Sequence, residues 1–525
     1  MKKNVPFPTT TRTSLWALCV VLVTGVAAMD ARQAFAQEDR FSAGGYFRVM
    51  ARPDFDGGWS KLGLWNLSGR LLNEDPWAAL ELKLDLMRPT PGTKEVWTSL
   101  HAKIEGGSVQ GADIFNGSLG AFALTQLYVK AGNVLLEDVS WQLGTLHYYY
   151  GDLGLYDMRP AEIFFDTVGV SATYSHPYVD VLVGVGDAGY FLRRENYATI
   201  WSFGGAVRLR PIDGLELGLG GQFYYEPSAE GNRNAPHHTP LPESVTYEDF
   251  VRGRVVETYR REEMGGASID QVATMFPKPQ PEDATSFKAV AYLGFGKLGP
   301  LRWNNLFANY LRKHPRNLVR EDFLGRTFNI YVKNWTDERF EINLGNEMQL
   351  AVIPGWLDVV WGALLGFHFD NDNEIAPSEE DRMIWSTVLR AQVYLSDTVH
   401  FLTETSYAQE KSKNGNLWRA GVASIFESSN GSSDLDGIEF GDLDLRKTWQ
   451  LKTGFVINPG GMGIFSRPSL RLLYGLQHSN MHNAFGNSFV ESLDQSNEFF
   501  TIEQLSSLKD RNWHQIISIE AEAWF

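Results

Sequence analysis

The feature that most limits what this chain can fold into is a two-residue alternation of apolar and polar side chains, repeated between clusters of turn-forming residues. One segment shows it plainly: Ala78, Leu80, Leu82, Leu84 and Leu86 point one way, while Trp77, Glu81, Lys83 and Asp85 point the other. Successive side chains of an extended strand take opposite faces, so this is strand periodicity. Tight turns joining such segments are read at Pro89-Thr90-Pro91-Gly92, Gly132-Asn133, His176-Pro177, Pro211-Ile212-Asp213-Gly214, Leu298-Gly299-Pro300, Pro354-Gly355, Ser396-Asp397 and Pro459-Gly460-Gly461. Longer polar connections fall between them, at 149–166, 227–285, 314–325, 370–382 and 410–448. Eight hairpins supply sixteen strands, and a first strand at 41–52 and a last at 513–525 bring the expected number to 18, with 16 as the alternative.

A soluble sandwich would alternate too, with its apolar face inward. Strands of about ten residues, with short turns on one rim and long loops on the other, instead predict a transmembrane antiparallel β-barrel. The expected class is all-β, with short periplasmic turns and long extracellular loops. An even strand number lets the sheet close, leaving no unpaired edge in lipid, and 16 to 18 strands leave room for an aqueous channel. Mean hydropathy of −0.23 would ordinarily read as soluble, but a barrel needs only alternate residues to be apolar.

Both ends of the chain agree with export to an outer membrane. Lys2, Lys3 and Arg12 precede an apolar run from Leu15 to Ala28, and Ala34-Phe35-Ala36 fits a peptidase site, so 1–36 reads as a signal peptide and 37–525 as one barrel domain. The first strand follows Gln37 within about five residues, leaving no space for a plug domain. At the other end Ile517, Ile519, Ala521, Ala523 and Phe525 share one face, opposite His514, Ser518, Glu520, Glu522 and Trp524. An aromatic last residue on an alternating strand is typical of outer-membrane barrels. The single cysteine, Cys19, lies in the leader, which excludes disulfides, thiolate metal sites and cysteine catalysis from the exported part. The net charge of −16, and −19 without the leader, argues against nucleic-acid binding. Aromatics near strand ends, Trp141, Tyr148, Trp201, Tyr224, Tyr225, Trp303, Trp356 and Trp385, are candidates for girdle, pore or subunit interface.

Five segments in chain order resemble the maltoporin family, the sugar-specific trimeric porins of the outer membrane: Gly45-Tyr46-Phe47-Arg48; Arg70-Leu71-Leu72-Asn73-Glu74 with Glu81-Leu82-Lys83-Leu84; Gly144 through Tyr148 and Asp152 to Asp157; Ile464-Phe465-Ser466-Arg467-Pro468-Ser469-Leu470-Arg471; and the ending Glu522-Ala523-Trp524-Phe525. The middle, about 190–440, matches in architecture only. The resemblance implies a homotrimer of 18-stranded barrels, an aromatic slide for the apolar faces of sugar rings, and a track of charged residues for their hydroxyls. It assigns Tyr46, Phe465 and Trp524 to the slide. Trp77 replaces the family's second-strand tyrosine, whose position holds Ala79. Arg48, Arg70, Glu81, Asp152 and Asp157 form the polar track, joined by Arg159. Tyr150 stands where the family has an arginine and Arg159 where it has a tyrosine, departures that bear on which sugar is carried. Strand parity places Tyr46 with Arg48, Trp77 with Glu81, Phe465 with Arg467, and Trp524 with Glu520, each on a polar and hence luminal face.

The expected function is facilitated diffusion of oligosaccharides through a water-filled channel, without catalysis, cofactor or metal. The expected partners are the sugar, outer-membrane lipids and lipopolysaccharide, and two further copies of the chain. The alternatives are a porin for an anionic solute, suited to Arg48, Arg70, Arg159, Arg467 and Arg471, and a barrel that merely anchors an enzyme or adhesin. Glu520 and Glu522 stand about 6–7 Å apart on one strand face, within the range of a glycosidase pair, but any polar strand face repeats that spacing. His237-His238 has no matching ligand set. The basic stretch 252–261 reads as a loop helix and candidate lipopolysaccharide contact.

Overall fold

A computed structural model describes residues 40–52, 62, 66–74, 76–89, 93–107, 122–188, 199–226, 238–240, 284–313, 318–323, 326–331, 339–370, 382–413, 443–480 and 513–525. The leader, His237, the stretch 252–261 and Thr90-Pro91-Gly92 lie outside these residues.

Eighteen strands form one antiparallel sheet: β1 (Phe41–Ala51), β2 (Trp77–Met87), β3 (Trp97–Gly107), β4 (Phe122–Gly132), β5 (Val139–Tyr149), β6 (Glu162–His176), β7 (Val179–Asp187), β8 (Trp201–Ile212) and β9 (Leu215–Glu226), followed by β10 (Ala284–Leu298), β11 (Leu301–Lys313), β12 (Arg339–Ile353), β13 (Leu357–Asp370), β14 (Arg382–Tyr394), β15 (Val399–Lys413), β16 (Leu443–Ile457), β17 (Ser469–Ser479) and β18 (Trp513–Trp524). Each strand pairs with its neighbour in sequence, and β1 pairs with β18 to close the ring, Arg48 opposite Glu522. The seam is finished by the last residue. Gly45 N–H donates to the Phe525 carbonyl at 2.9 Å and Phe525 N–H to the Gly45 carbonyl at 3.1 Å. The Phe525 ring folds over Gly45, where a β-carbon would meet ring carbon Cζ at 2.4 Å.

All eight expected turns separate consecutive strands on one rim. The outward faces carry Phe47, Leu84, Val183, Phe203, Leu219, Leu344, Phe455, Leu472 and Ile519, all more than a third exposed. Such a closed sheet, apolar outside and polar inside, is an outer-membrane barrel of the Gram-negative type. Register also sorts the aromatics. Trp201 and Tyr225 pair on the outer face, as does Trp385 with Leu365. Tyr224 pairs with buried Ser202 on the luminal face. Trp303 is luminal too, its indole N–H donating to Gln349 Oε1 at 3.0 Å.

The wall is uneven in height. Strands β1 to β5 have 11 residues each and β17 and β18 have 11 and 12, whereas β10 to β16 have 13 to 15.

Two elements depart from the sequence reading. The connection after β11 extends to 338 and contains a hairpin, Leu318–Phe323 with Arg326–Tyr331, which pairs in parallel with His238–Pro240 to make a three-stranded sheet. Phe465 and Arg467 precede β17 and lie in the turn connection 458–468, not on the strand. Gly461 and Gly463 take φ of 95° and 149° there, and Ser466 N–H bonds the Gly463 carbonyl at 3.3 Å, so this run is a compact turn.

Candidate functional site: the luminal constriction

Two long-rim connections fold into the lumen. The first, between β1 and β2, carries Leu62, Leu71 and Leu72 into an apolar cluster with Leu402, Val456, Leu473 and Ile516 of the wall. Its backbone is latched by polar groups. Lys452 Nζ donates to the Ser68 carbonyl at 2.8 Å, and Asn73 Nδ2 donates to Gln450 Oε1 at 3.0 Å. The second, 150–161, buries Leu153, Leu155 and Tyr156 against Val360, Leu364 and Val388. Glu347 of β12, 1% exposed, accepts the N–H groups of Gly154 at 3.0 Å and Leu155 at 2.7 Å. The two segments meet where Arg70 N–H donates to the Leu155 carbonyl at 2.7 Å. The wall is carved to receive them. The Tyr150 ring occupies the place of the missing Gly218 side chain, 2.5 Å from where its β-carbon would stand, and its hydroxyl reaches the Val207 carbonyl at 3.0 Å. Tyr150 is 3% exposed, so it is a wall contact and not a lining group of the passage.

At the seam opposite charges gather into one cluster on the luminal side. Arg48 pairs with Glu74, and Arg70 pairs with Glu74 at 3.4 Å and with Glu522. Glu522 also meets Arg471, and Arg467 at 2.6 Å. Arg52 pairs with Glu520 at 2.8 Å. Tyr46 donates to Glu522 at 2.9 Å and accepts from Arg70 at 3.1 Å and Arg48 at 3.2 Å. Burial pushes the Glu74 carboxyl up to about 7 although Arg70 and Arg48 pull the other way. For Asp157 burial is outweighed by Arg70 and by a hydrogen bond with Glu74, so it stays below the usual carboxylate range. Glu74 thus carries the proton shared by this pair. Burial, then Arg471, holds Arg467 down to about 9.

Because the folded pKa of Glu74 lies above its ordinary value, the stability it contributes is present at low pH and is lost as pH rises through about 7. Its ionisation adds negative charge between Arg48, Arg70 and Asp157. Cation selectivity, read as reversal potential in a salt gradient, is expected to rise between about pH 6 and 8. In Glu74→Gln that step is expected to vanish.

Of the residues singled out in sequence, Tyr46, Arg48, Arg70, Asp157 and Trp524 come together, the rings of Tyr46 and Trp524 lying 6.4 Å apart. Trp77 sits opposite Arg48 on the luminal face and is 38% exposed. Glu81 lies opposite Gly44, its carboxylate 3.8 Å from Lys103. Asp152 and Arg159 are exposed on the second inward segment. The protein crowded around it displaces water and raises the Asp152 carboxyl despite its exposed edge, and the Arg159 guanidinium stands 4.3 Å from the centre of the Tyr149 ring. Phe465 is apart from this group. Its ring lies 6.3 Å from Trp303 and 5.8 Å from the Arg390 guanidinium, in the turn connection. The acids Glu74, Glu520 and Glu522, which hold the arginines, were not among the expected site residues. For Glu520 and Glu522 the signal was the alternation of acids on the luminal face of the last strand; Glu74, in the connection before β2, had no such signal.

The inward segments pack against much of the rest of the ring and leave most of the luminal face of β2 to β4 half-exposed. There Glu81 and Glu105 alternate with Lys83 and Lys103, facing Asp152, Asp157 and Arg159. Neither sign dominates, and aromatic edges interrupt the charges. Such a passage admits polar solutes without the field of an ion filter.

No family model matches the chain, and no curated protein matches it in sequence. Among solved structures, the chain is similar to an outer-membrane expressed OmpT of Vibrio cholerae (9% identity, TM-score 0.38, covering 93% of this chain and 99% of that one). It is also similar to OprB of Pseudomonas putida (11%, 0.37, 94% and 96%) and OpdL of Pseudomonas aeruginosa (10%, 0.38, 92% and 98%). The closed ladder of eighteen strands, and not these distant likenesses, makes the chain an outer-membrane barrel of porin type.

Proposed function

We propose that the chain is a passive carbohydrate porin resembling the maltoporins, through which oligosaccharides diffuse down their gradient. The observation that carries this reading is the open luminal strip, where Trp77, Tyr46 and Trp524 alternate with carboxylates and ammonium groups of no net sign. A pyranose has one apolar face and a rim of hydroxyls. Aromatic surfaces with charged donors and acceptors beside them match both, in contacts weak enough for release. The anion alternative loses its main support, because Arg48, Arg70, Arg467 and Arg471 are each held by carboxylates. Tyr46 and Trp524 are slide residues in this reading, with Trp77 above them. Phe465 serves to pack the turn connection.

Bilayer conductance with sugar titration tests it. Neutral maltodextrin should block the open channel, and Trp524→Ala should weaken the block by about 1 kcal/mol, roughly fivefold. Ohmic current indifferent to sugar, or a closed barrel, would reject the reading.

We further infer that the chain assembles as a homotrimer, with the low wall of β1 to β5, β17 and β18 turned toward neighbouring copies and the tall wall toward lipid. Eleven-residue strands leave less apolar height than the 13- to 15-residue strands opposite, and a neighbouring barrel removes the need to match the bilayer there. Light scattering of the detergent-solubilised protein should return three chain masses. A monomeric mass would overturn this assignment.

A further inference from the structure

On the turn side of the constriction the luminal face of β2, β3 and β4 forms a small grid. Register aligns Glu81, Lys103 and Gln126 in one row, Lys83, His101 and Tyr128 in the next, and Asp85, Ser99 and Lys130 in the third. Small residues border the middle row, Ser42 on β1 and Gly144 on β5, so the wall is recessed there. An open hollow of about 340 Å³ lies along the first two rows, lined by Ser42, Glu81, Lys83, His101, Gln126 and Tyr128, within the range of small-molecule pockets, and Lys130 stands at its edge beside Tyr128. Its floor is flat. The His101 and Tyr128 rings stack at 4.7 Å and 11°, and Ser99 Oγ fixes the imidazole through Nε2 at 2.9 Å.

The charges around this floor are unequal. Lys83 is taken by Asp85 at 2.9 Å, and Asp85 also meets Arg88 at 3.0 Å. Lys103 is taken by Glu105 at 2.8 Å. Lys130 stands 5.6 Å from the centre of the Tyr128 ring, and among the described residues no carboxylate meets it. An ammonium group half-withdrawn from water beside a stacked aromatic pair, with no counter-ion among the described residues, is complementary to a ring-shaped solute bearing one negative charge.

We propose that this recess is a second solute subsite, which takes a saccharide carrying a carboxylate, of the uronic-acid type. The sugar ring lies at the His101–Tyr128 pair, its carboxylate meets Lys130, and its hydroxyls meet Glu81, Lys103 and Gln126. The subsite rests on the carbohydrate reading and adds to it a preference for an acidic sugar on the turn side of the constriction.

The test is channel block in planar bilayers by a uronate-bearing disaccharide and by its neutral counterpart, each added from the turn side. In the wild type the acidic sugar should block more strongly, by up to about fivefold, the size of a solvent-exposed ion pair. The difference should shrink as salt is raised. Lys130→Gln should bring the acidic sugar to the level of the neutral one, while Lys130→Arg should keep the preference and so exclude a folding defect as the cause. Tyr128→Ala should weaken both sugars. Equal block by the two sugars in the wild type, or a preference that survives Lys130→Gln, would overturn the subsite and leave the carbohydrate reading standing. Absence of block by either sugar would overturn both.

Discussion

Glu347→Ala is expected to turn a narrow, quiet channel into a wide and fluctuating one. Both carboxylate oxygens of Glu347 are spent on the backbone of the second inward segment, at Gly154 and Leu155. Removing them strands two N–H groups against the wall, at about 1–3 kcal/mol each. A loss of about 3 kcal/mol shifts the docked-to-undocked ratio more than a hundredfold. Single-channel recording should show larger conductance with frequent transitions, and weaker sugar block, while the barrel itself still folds. Glu347→Gln, which keeps one acceptor, should fall between. Conductance identical to wild type in Glu347→Ala would show that apolar packing of Leu153, Leu155 and Tyr156 holds the segment without this carboxylate.

The second large effect is on stability. Glu404 is fully buried between two cations, Arg390 at 2.7 Å and Lys452 at 2.8 Å, with side-chain exposures of 0 to 2%. Glu404→Ala leaves both cations uncompensated inside the barrel, which costs about 3–5 kcal/mol. Denaturant unfolding of the protein in lipid vesicles should shift by that amount. Replacing the whole trio by apolar residues (Arg390→Met, Glu404→Leu, Lys452→Leu) should recover most of the loss, because a buried ion pair is itself costly to desolvate. The channel of that variant should nevertheless be wider. Lys452 is also the donor to the Ser68 carbonyl, and without it the first inward segment loses its latch. Recovery of stability without widening would separate the trio from the constriction.

Strand number and the turn rim were legible in sequence because both rest on local rules: side-chain alternation, and the backbone preferences of Gly, Pro, Asn and Asp. Luminal parity was legible for the same reason, so Tyr46, Arg48 and Trp524 came out on the correct face. Alternation misleads where the chain is not extended. Phe465, Arg467, Ser469 and Arg471 share one parity in sequence, yet Phe465 and Arg467 lie in a compact turn, because parity counting assumes an extended chain. Least legible was the docking of the inward segments. Glu347 lies 192 and 193 residues from its partners, and nothing in its surroundings marks it as other than one more luminal acid. The placement of Tyr150 against Gly218 depends likewise on a distant strand. Four of the five arginines read as anion ligands, Arg48, Arg70, Arg467 and Arg471, turned out to be paired with carboxylates, which the closure of the first strand on the last brings about.

That closure has a consequence for truncation. Tyr46 and Glu522, bonded directly, are 476 positions apart, so the ion-paired cluster is made by the first and last strands of the sheet. Removing the last strand would therefore take away the closing seam and this charged cluster together.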